Sequence, residues 1–314
     1  MSRHTTTGRW KLGFILSLNT ALFWGVLPIA LKILLDDMDP YTITWYRFLV
    51  AALVLGVFIV RKRGLSPFKK LRGRRIVWIL LAAIGIGSNY VLYLLGLDFL
   101  TPSTSQVVIQ LAPMLLLLGG ILFFKESFSG MQWLGFGVFV IGLALFFNQR
   151  LDDLLYRLTD FTLGVLLIVA ASVTWTVYAL VQKQLLRVFA SETILLFIYA
   201  CGVVFFLAAS HPGQLLHLSR TSLLLLAFCA LNTLVAYGSF AEALDHWEAS
   251  RVGAVIAIVP LITVVAMKIG ASVFPEYVAP ENLNLLSIGG AVLVVIGSLT
   301  AAMGKATAIK TIRE

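Results

Sequence analysis

Charge is what this chain has least of. Asp, Glu, Lys and Arg make up 12% of its 314 residues, about half of the roughly 25% usual in a soluble domain. So few charges cannot cover a water-facing surface, which excludes a pair of soluble domains of the same total length. Cysteine is almost missing: Cys201 and Cys229 are the only two, and both lie inside apolar runs. They read as small buried hydrophobes, and a disulfide scaffold is excluded. The sequence has no glycine-rich phosphate loop, no G-x-S-x-G elbow and no H-E-x-x-H pair, so an ATP-driven pump within this chain is excluded and no enzyme motif is present. All fifteen Asp and Glu and all four His fall in loops, tails or the terminal turns of apolar runs. No span centre therefore carries the titrating group that a proton relay needs.

What is abundant is hydrocarbon. Hydrophobic residues make up 60% of the chain, mean hydropathy is +0.95, and 25 glycines are scattered through the apolar runs. This predicts an all-α polytopic membrane protein. Crossing a bilayer takes about 20 apolar residues, and ten runs qualify: 12–34, 42–60, 75–96, 103–124, 130–148, 162–182, 192–210, 220–241, 250–273 and 284–303. The first, preceded by Arg3, Arg9 and Lys11, is too long for a signal peptide and has no cleavage site before Lys32, so it reads as a retained helix.

The basic residues give the orientation. Eighteen of the 24 Lys and Arg fall at the N-terminus, in the 61–75 loop, at Lys125, Lys183, Arg187 and Arg251, and in the tail from Lys305; only Arg150, Arg157 and Arg220 lie in the alternate loops. Positive charge stays inside, which predicts both termini in the cytoplasm and an inner-membrane location. The net charge of +9 is thus a topology signal and a contact with anionic lipid, and nucleic-acid binding is set aside.

Comparing the halves exposes an internal repeat. At an offset of 147, Tyr90, Leu97, Asp98, Ser103, Val108, Ile109 and Pro113 match Tyr237, Leu244, Asp245, Ser250, Val255, Ile256 and Pro260. At 151, Gly13, Trp24 and Lys32 match Gly164, Trp175 and Lys183; at 155, Gly135, Val140 and Gly142 match Gly290, Val295 and Gly297. Five spans is an odd number, so the second copy must enter the membrane inverted. The expected organisation is a cytoplasmic 1–11, a first five-helix repeat 12–148, an outer linker 149–161, an inverted repeat 162–303 and a cytoplasmic 304–314. Inverted repeats are the architecture of alternating-access carriers, with substrate near the midplane.

Phe23, Trp24 and Gly25 in span 1, the run Tyr46 to Ala52 in span 2, Leu111, Ala112 and Pro113 in span 4, and Lys125, Glu126 and Gln132 to Gly135 leading into span 5 resemble the drug/metabolite transporter superfamily, EamA type. After Pro260 the chain departs from that pattern, with Lys268 and a longer 274–283 segment. The resemblance implies a ten-span carrier of small metabolites, often an exporter, with a cavity lined by spans 1, 3, 4, 6, 8 and 9. Glu126 resembles the family's glutamate after span 4; capping the span 5 N-terminus is its physical reading.

Several residues inside the spans are candidates for the substrate site. Gln106 and Gln110 lie one turn apart on one face of span 4, where an unpaired carboxamide is costly and must find a helix or a wet cavity. Asn89 and Tyr93 form a similar pair on span 3; Asn19, Asn232 and Tyr237 add polar groups to spans 1 and 8. Trp24 and Trp175 lie mid-span, away from the interfaces where tryptophan collects; with Tyr178 they form either core packing or a stacking wall for an aromatic, amphipathic or cationic substrate. Pro28, Pro113 and Pro260 free the carbonyls of Trp24, Ile109 and Ile256, as kinks or as hinges beside the cavity. Arg47 near the outer end of span 2 reads as a snorkelling cation paired with Asp98 or as a substrate-carboxylate ligand. Lys32 with Asp36 is an i,i+4 pair, and Lys268 a snorkelling residue. Glu242, Asp245, His246, Glu248 and Arg251 match no metal spacing and read as a solvated loop.

The expectation is a non-enzymatic secondary or facilitative transporter, exporting a small polar or amphipathic metabolite such as an amino acid without cofactor or metal. Other cargo classes (a sugar, a nucleotide derivative, a cationic drug) stand as alternatives. A membrane enzyme would show paired acids or His inside the spans, and a channel continuous polar stripes; neither pattern is present. The partners are substrate and membrane lipid, with monomer and homodimer both open, since Gly135, Gly137, Gly142, Gly289, Gly290 and Gly297 permit close packing within or between protomers.

Overall fold

The computed structural model describes residues 7–64, 71–124 and 129–304. Lys69, Lys70, Lys125, Glu126 and the tail from Lys305, together with the side chain of Asp245, lie outside the described part. The chain runs α1 (Trp10–Leu35), α2 (Pro40–Arg63), α3 (Arg74–Phe99), α4 (Pro102–Ile109), α5 (Leu111–Phe124), α6 (Gly130–Phe146), a short α7 (Leu151–Tyr156), α8 (Asp160–Leu185), α9 (Ser191–Leu207), α10 (Arg220–His246), α11 (Ala249–Ile256), α12 (Val259–Val273) and α13 (Leu285–Met303). Among the described residues, eight segments are apolar and long enough to cross a membrane, and two of these, Pro102–Gly119 and Arg251–Val273, are interrupted at the α4–α5 and α11–α12 junctions. Helices α6 and α9 are apolar but shorter.

The sequence punctuates these helices with side-chain caps that replace missing backbone acceptors. Asp39, before Pro40, accepts from the amides of Tyr41 and Thr42; Thr101, before Pro102, accepts from Thr104. Ser129 and Gln132 form a reciprocal capping box at α6. Large apolar side chains such as Leu53, Leu122, Leu224 and Leu285 remain exposed on outward faces, where hydrocarbon is their natural solvent.

Spans 4 and 9, each expected as one run with a proline kink or hinge inside it, are each divided into two helices. Helix α4 ends at Ile109 and α11 at Ile256, each four residues before a proline. Neither Pro113 nor Pro260 can donate to the carbonyl one turn back, and the ring crowds it, so the helix stops at that carbonyl. The two breaks are 147 residues apart, the same offset as the sequence match.

Helices α6 and α13, α3 and α8, α1 and α10, and α2 and α9 pack as pairs. The α6–α13 crossing is backbone against backbone. A Cβ added at Gly135 would sit 2.4 Å from Ala301 N, and one at Gly297 would sit 2.4 Å from Phe139 N. Gly142 and Gly290 meet the facing helix in the same way, whereas Gly137 and Gly289 have nothing within 4 Å. Four of the six glycines thus serve packing within the chain.

Candidate functional site

A cavity of about 400 Å³ lies where the two broken helices meet, within the roughly 300–1,000 Å³ usual for small-molecule sites. The breaks are bonded to each other: Gln110, which caps α4, donates through Nε2 to the carbonyl of Ala257, which caps α11, at 3.4 Å. Trp24, Leu27, Pro28 and Leu31 of α1 form one wall; Asn89, Tyr90 and Tyr93 of α3 form another, with Trp175 of α8 and Tyr237 and Phe240 of α10. The lining also reaches Gly253 on α11 and Ser298 and Ala302 on α13.

Helix α1 supplies three successive carbonyls to side chains of other helices. Asn232 Nδ2 donates to Phe23 O at 2.7 Å, Gln106 Nε2 to Trp24 O at 3.3 Å, and Thr263 Oγ1 to Gly25 O at 2.7 Å. The middle one is the acceptor that Pro28 orphans, and a donor from α4 replaces the missing amide, so α1 stays continuous through its proline. Gln106 Oε1 in turn accepts from the Tyr93 hydroxyl at 2.9 Å. Asn89 Nδ2 donates to Ala171 O of α8 at 2.9 Å. The carboxamides of Gln106 and Asn89 therefore couple helices and face the cavity at once, whereas Asn232 couples helices outside the lining.

Of the residues singled out from the sequence, Trp24, Pro28, Arg47, Asn89, Tyr93, Gln106, Gln110, Pro113, Trp175 and Tyr237 line this cavity. Trp24 packs on Tyr237 and Phe240, with ring centroids 5.3 and 5.7 Å apart. Others lie elsewhere. Tyr178, edge-on to Trp175 at 6.5 Å, is buried in the core with Phe48 and Tyr199. Asn19 bonds Ser239 and, like Asn232, ties α1 to α10 outside the lining. Pro260 is buried and is not part of the lining. Asp98 is exposed at the end of α3, and the ion pair with Arg47 is not formed. Arg47 instead donates from Nε to Thr233 Oγ1 at 3.1 Å and lies over the Tyr90 ring. Lys32 donates to the Leu97 and Asp98 carbonyls rather than pairing with Asp36, because the last turn of α3 presents free acceptors. His246, expected in solvent, is buried with Nδ1 2.6 Å from Thr7 Oγ1 and Nε2 3.3 Å from Glu242.

Sequence reasoning missed Tyr90, Phe240 and Ser298. Tyr90 was detectable, since it is the repeat partner of Tyr237, and Phe240 lies one turn beyond Tyr237; Ser298 gave no signal among the small residues of span 10.

A second cavity of about 540 Å³ lies at the ends of α1, α4 and α6, roofed by residues 277–283, and shares no lining residue with the first. Glu281 there accepts from the Ser103 amide at 3.2 Å, near the N-terminus of α4.

A model of the EamA-like transporter family matches residues 11–148 and again 162–303. The chain is 38% identical over 296 residues to an Escherichia coli K12 protein named uncharacterized inner membrane transporter YhbE, covering 93% of this chain and 92% of that one. It is 40% identical over 294 residues to a Haemophilus influenzae protein named uncharacterized transporter, covering 93% and 95%. A solved structure described only as a crystal structure of a protein aligns with a TM-score of 0.64 at 17% identity, over 95% of this chain and 97% of that one. That last likeness concerns the fold alone.

Proposed function

The chain belongs to the EamA-like transporter family and is a multi-pass membrane transporter, and from that premise we propose that it is an alternating-access exporter of a small amphipathic metabolite such as an amino acid. In this reading it has ten spans in two inverted repeats, with both termini in the cytoplasm. The observation that carries the reading is the pair of helix breaks 147 residues apart, joined by the Gln110–Ala257 bond at the wall of the central cavity. Irregular backbone at membrane depth is tolerated where it lines a cavity, and repeat-related broken helices mark carrier sites.

The packing also supports a two-fold arrangement. Helix α1 contacts α10 and α12, while α8 contacts α3 and α5, and those helices correspond pairwise between the two halves. Under the proposed orientation the cavity lining runs from mid-depth toward the cytoplasmic ends of α10, α11 and α13, and the apolar cluster of Leu31, Leu34, Leu94, Leu97 and Leu226 closes the outer side. That is an inward-open carrier. No Asp or Glu lines the central cavity among the described residues, so facilitated diffusion or exchange is the proposed mechanism.

Reconstituting the purified protein in liposomes and screening a panel of amino acids and other metabolites tests this. Saturable uptake of at least one supports the reading; no flux for any class on the panel overturns it.

A further inference from the structure

The central cavity contains a single formal charge among its described lining residues, and that charge is buried. Arg47 is 4% exposed. Its guanidinium lies with Cζ 4.4 Å from the Tyr90 ring centroid, and its Nε is spent on Thr233. Among the described residues no carboxylate comes within ion-pair distance of it, and no bond from its two terminal nitrogens is formed. A guanidinium presents five N–H donors in a planar fork, and desolvating one without a counter-ion is expensive unless something anionic completes it. A fork with its Nε side tied down and its terminal nitrogens free matches the two oxygens of a carboxylate.

The remaining lining is complementary to the other end of such a molecule. Trp24, Trp175, Tyr237 and Phe240 present aromatic surface, with Leu27, Leu117 and Ile256 around them. An ammonium group would find no acidic side chain in this lining.

We infer that Arg47 is the anion anchor of the cavity and that the substrate is an amphipathic carboxylate, with one carboxylate on Arg47 and an aromatic or branched apolar body against Trp24 and Trp175. The inference rests on the carrier reading of the same cavity. The carboxylate belongs either to an amino acid or to an acid lacking the amino group, and both share the anchor.

The test is calorimetric titration of the purified wild-type protein with three probes of one ring and different charge: phenylpropionate, phenylalanine and phenethylamine. Phenylpropionate is expected to bind, and phenethylamine to bind at least about tenfold more weakly, the scale of one lost charge-assisted hydrogen bond. Phenylalanine matching phenylpropionate assigns the carboxylate to an amino acid; phenylalanine falling below it assigns a deaminated acid. Arg47→Gln should weaken phenylpropionate about ten- to a hundredfold, while Arg47→Lys keeps part of the affinity. If the Gln variant does not fold, the wild-type charge series decides by itself. Phenethylamine binding as well as phenylpropionate, or no binding by any of the three, overturns the anchor. Phenylpropionate binding without flux in liposomes removes the carrier reading and leaves the anchor; flux of phenethylamine alone removes the anchor and leaves the carrier.

Discussion

The side-chain amide of Gln106 donates to the main-chain carbonyl of Trp24 at 3.3 Å, the acceptor that Pro28 leaves without its amide. One broken helix is thereby fastened to the proline turn of α1 beside the cavity. In the proposed alternating access, rocking of α4 against α1 would have to break or carry this bond, which would make it one of the contacts that distinguish the two states.

Pro28→Ala should relieve that dependence by restoring an amide donor to Trp24 O. The expected outcome is a variant at least as heat-stable as the wild type in detergent, with slower transport, because the α1–α4 tie is no longer required. A fall of several degrees in Tm with transport unchanged would count against this role.

Removing the amide tests the same tie from the other side. Gln106→Leu leaves both Trp24 O and the Tyr93 hydroxyl without partners, at about 1–3 kcal/mol for each buried group left unsatisfied. Thermal unfolding in detergent should register that loss, whereas Asn19→Leu, which breaks a single bond to Ser239, should cost about 1 kcal/mol.

The glycine crossing of α6 and α13 gives a prediction about stability alone. Gly297→Ala puts a methyl group 2.4 Å from backbone, which no rotamer can relieve, so the helices must separate; an overpacked core typically loses about 1–3 kcal/mol. Gly137→Ala and Gly289→Ala, with open space around each, should leave unfolding unchanged. Equal effects at all four crossing glycines and at these two would show that the close approach is not real.

Trp24→Ala and Trp175→Ala should abolish transport while expression and membrane insertion persist, because each removes aromatic surface from the cavity wall and Trp24 also anchors Tyr237 and Phe240. Transport at wild-type rates in both variants would remove the stacking wall.

A pH gradient alone should not drive uphill accumulation in liposomes, since no carboxylate lines the central cavity among the described residues. Accumulation under that gradient would require a titrating group elsewhere on the path.

What was legible in the sequence followed from period and composition. Apolar run length set the spans, and the prolines marked where carbonyls would be orphaned. The breaks at Ile109 and Ile256 needed one further step: a proline flanked by partners can be tolerated, as Pro28 is, or can end a helix, as Pro113 and Pro260 do, and the difference lies in whether another helix delivers a donor. No sequence pattern encodes that delivery. The same limit explains Asn19 and Asn232, whose carboxamides are identical in type to those of Gln106 and Gln110 but face neighbouring helices. It also explains Arg47, whose partner was sought at the nearest acid along the chain although Thr233 is 186 residues away.

Counterflow separates a substrate site exposed alternately to the two sides from an open pore. Liposomes containing the protein are loaded with an unlabelled solute that the panel identifies as cargo, and entry of the labelled form is followed. Entry should saturate with external solute and accelerate when unlabelled solute is present inside, with both effects lost in Trp24→Ala. Entry that rises linearly with concentration and ignores the internal solute would be the behaviour of a pore and would contradict alternating access.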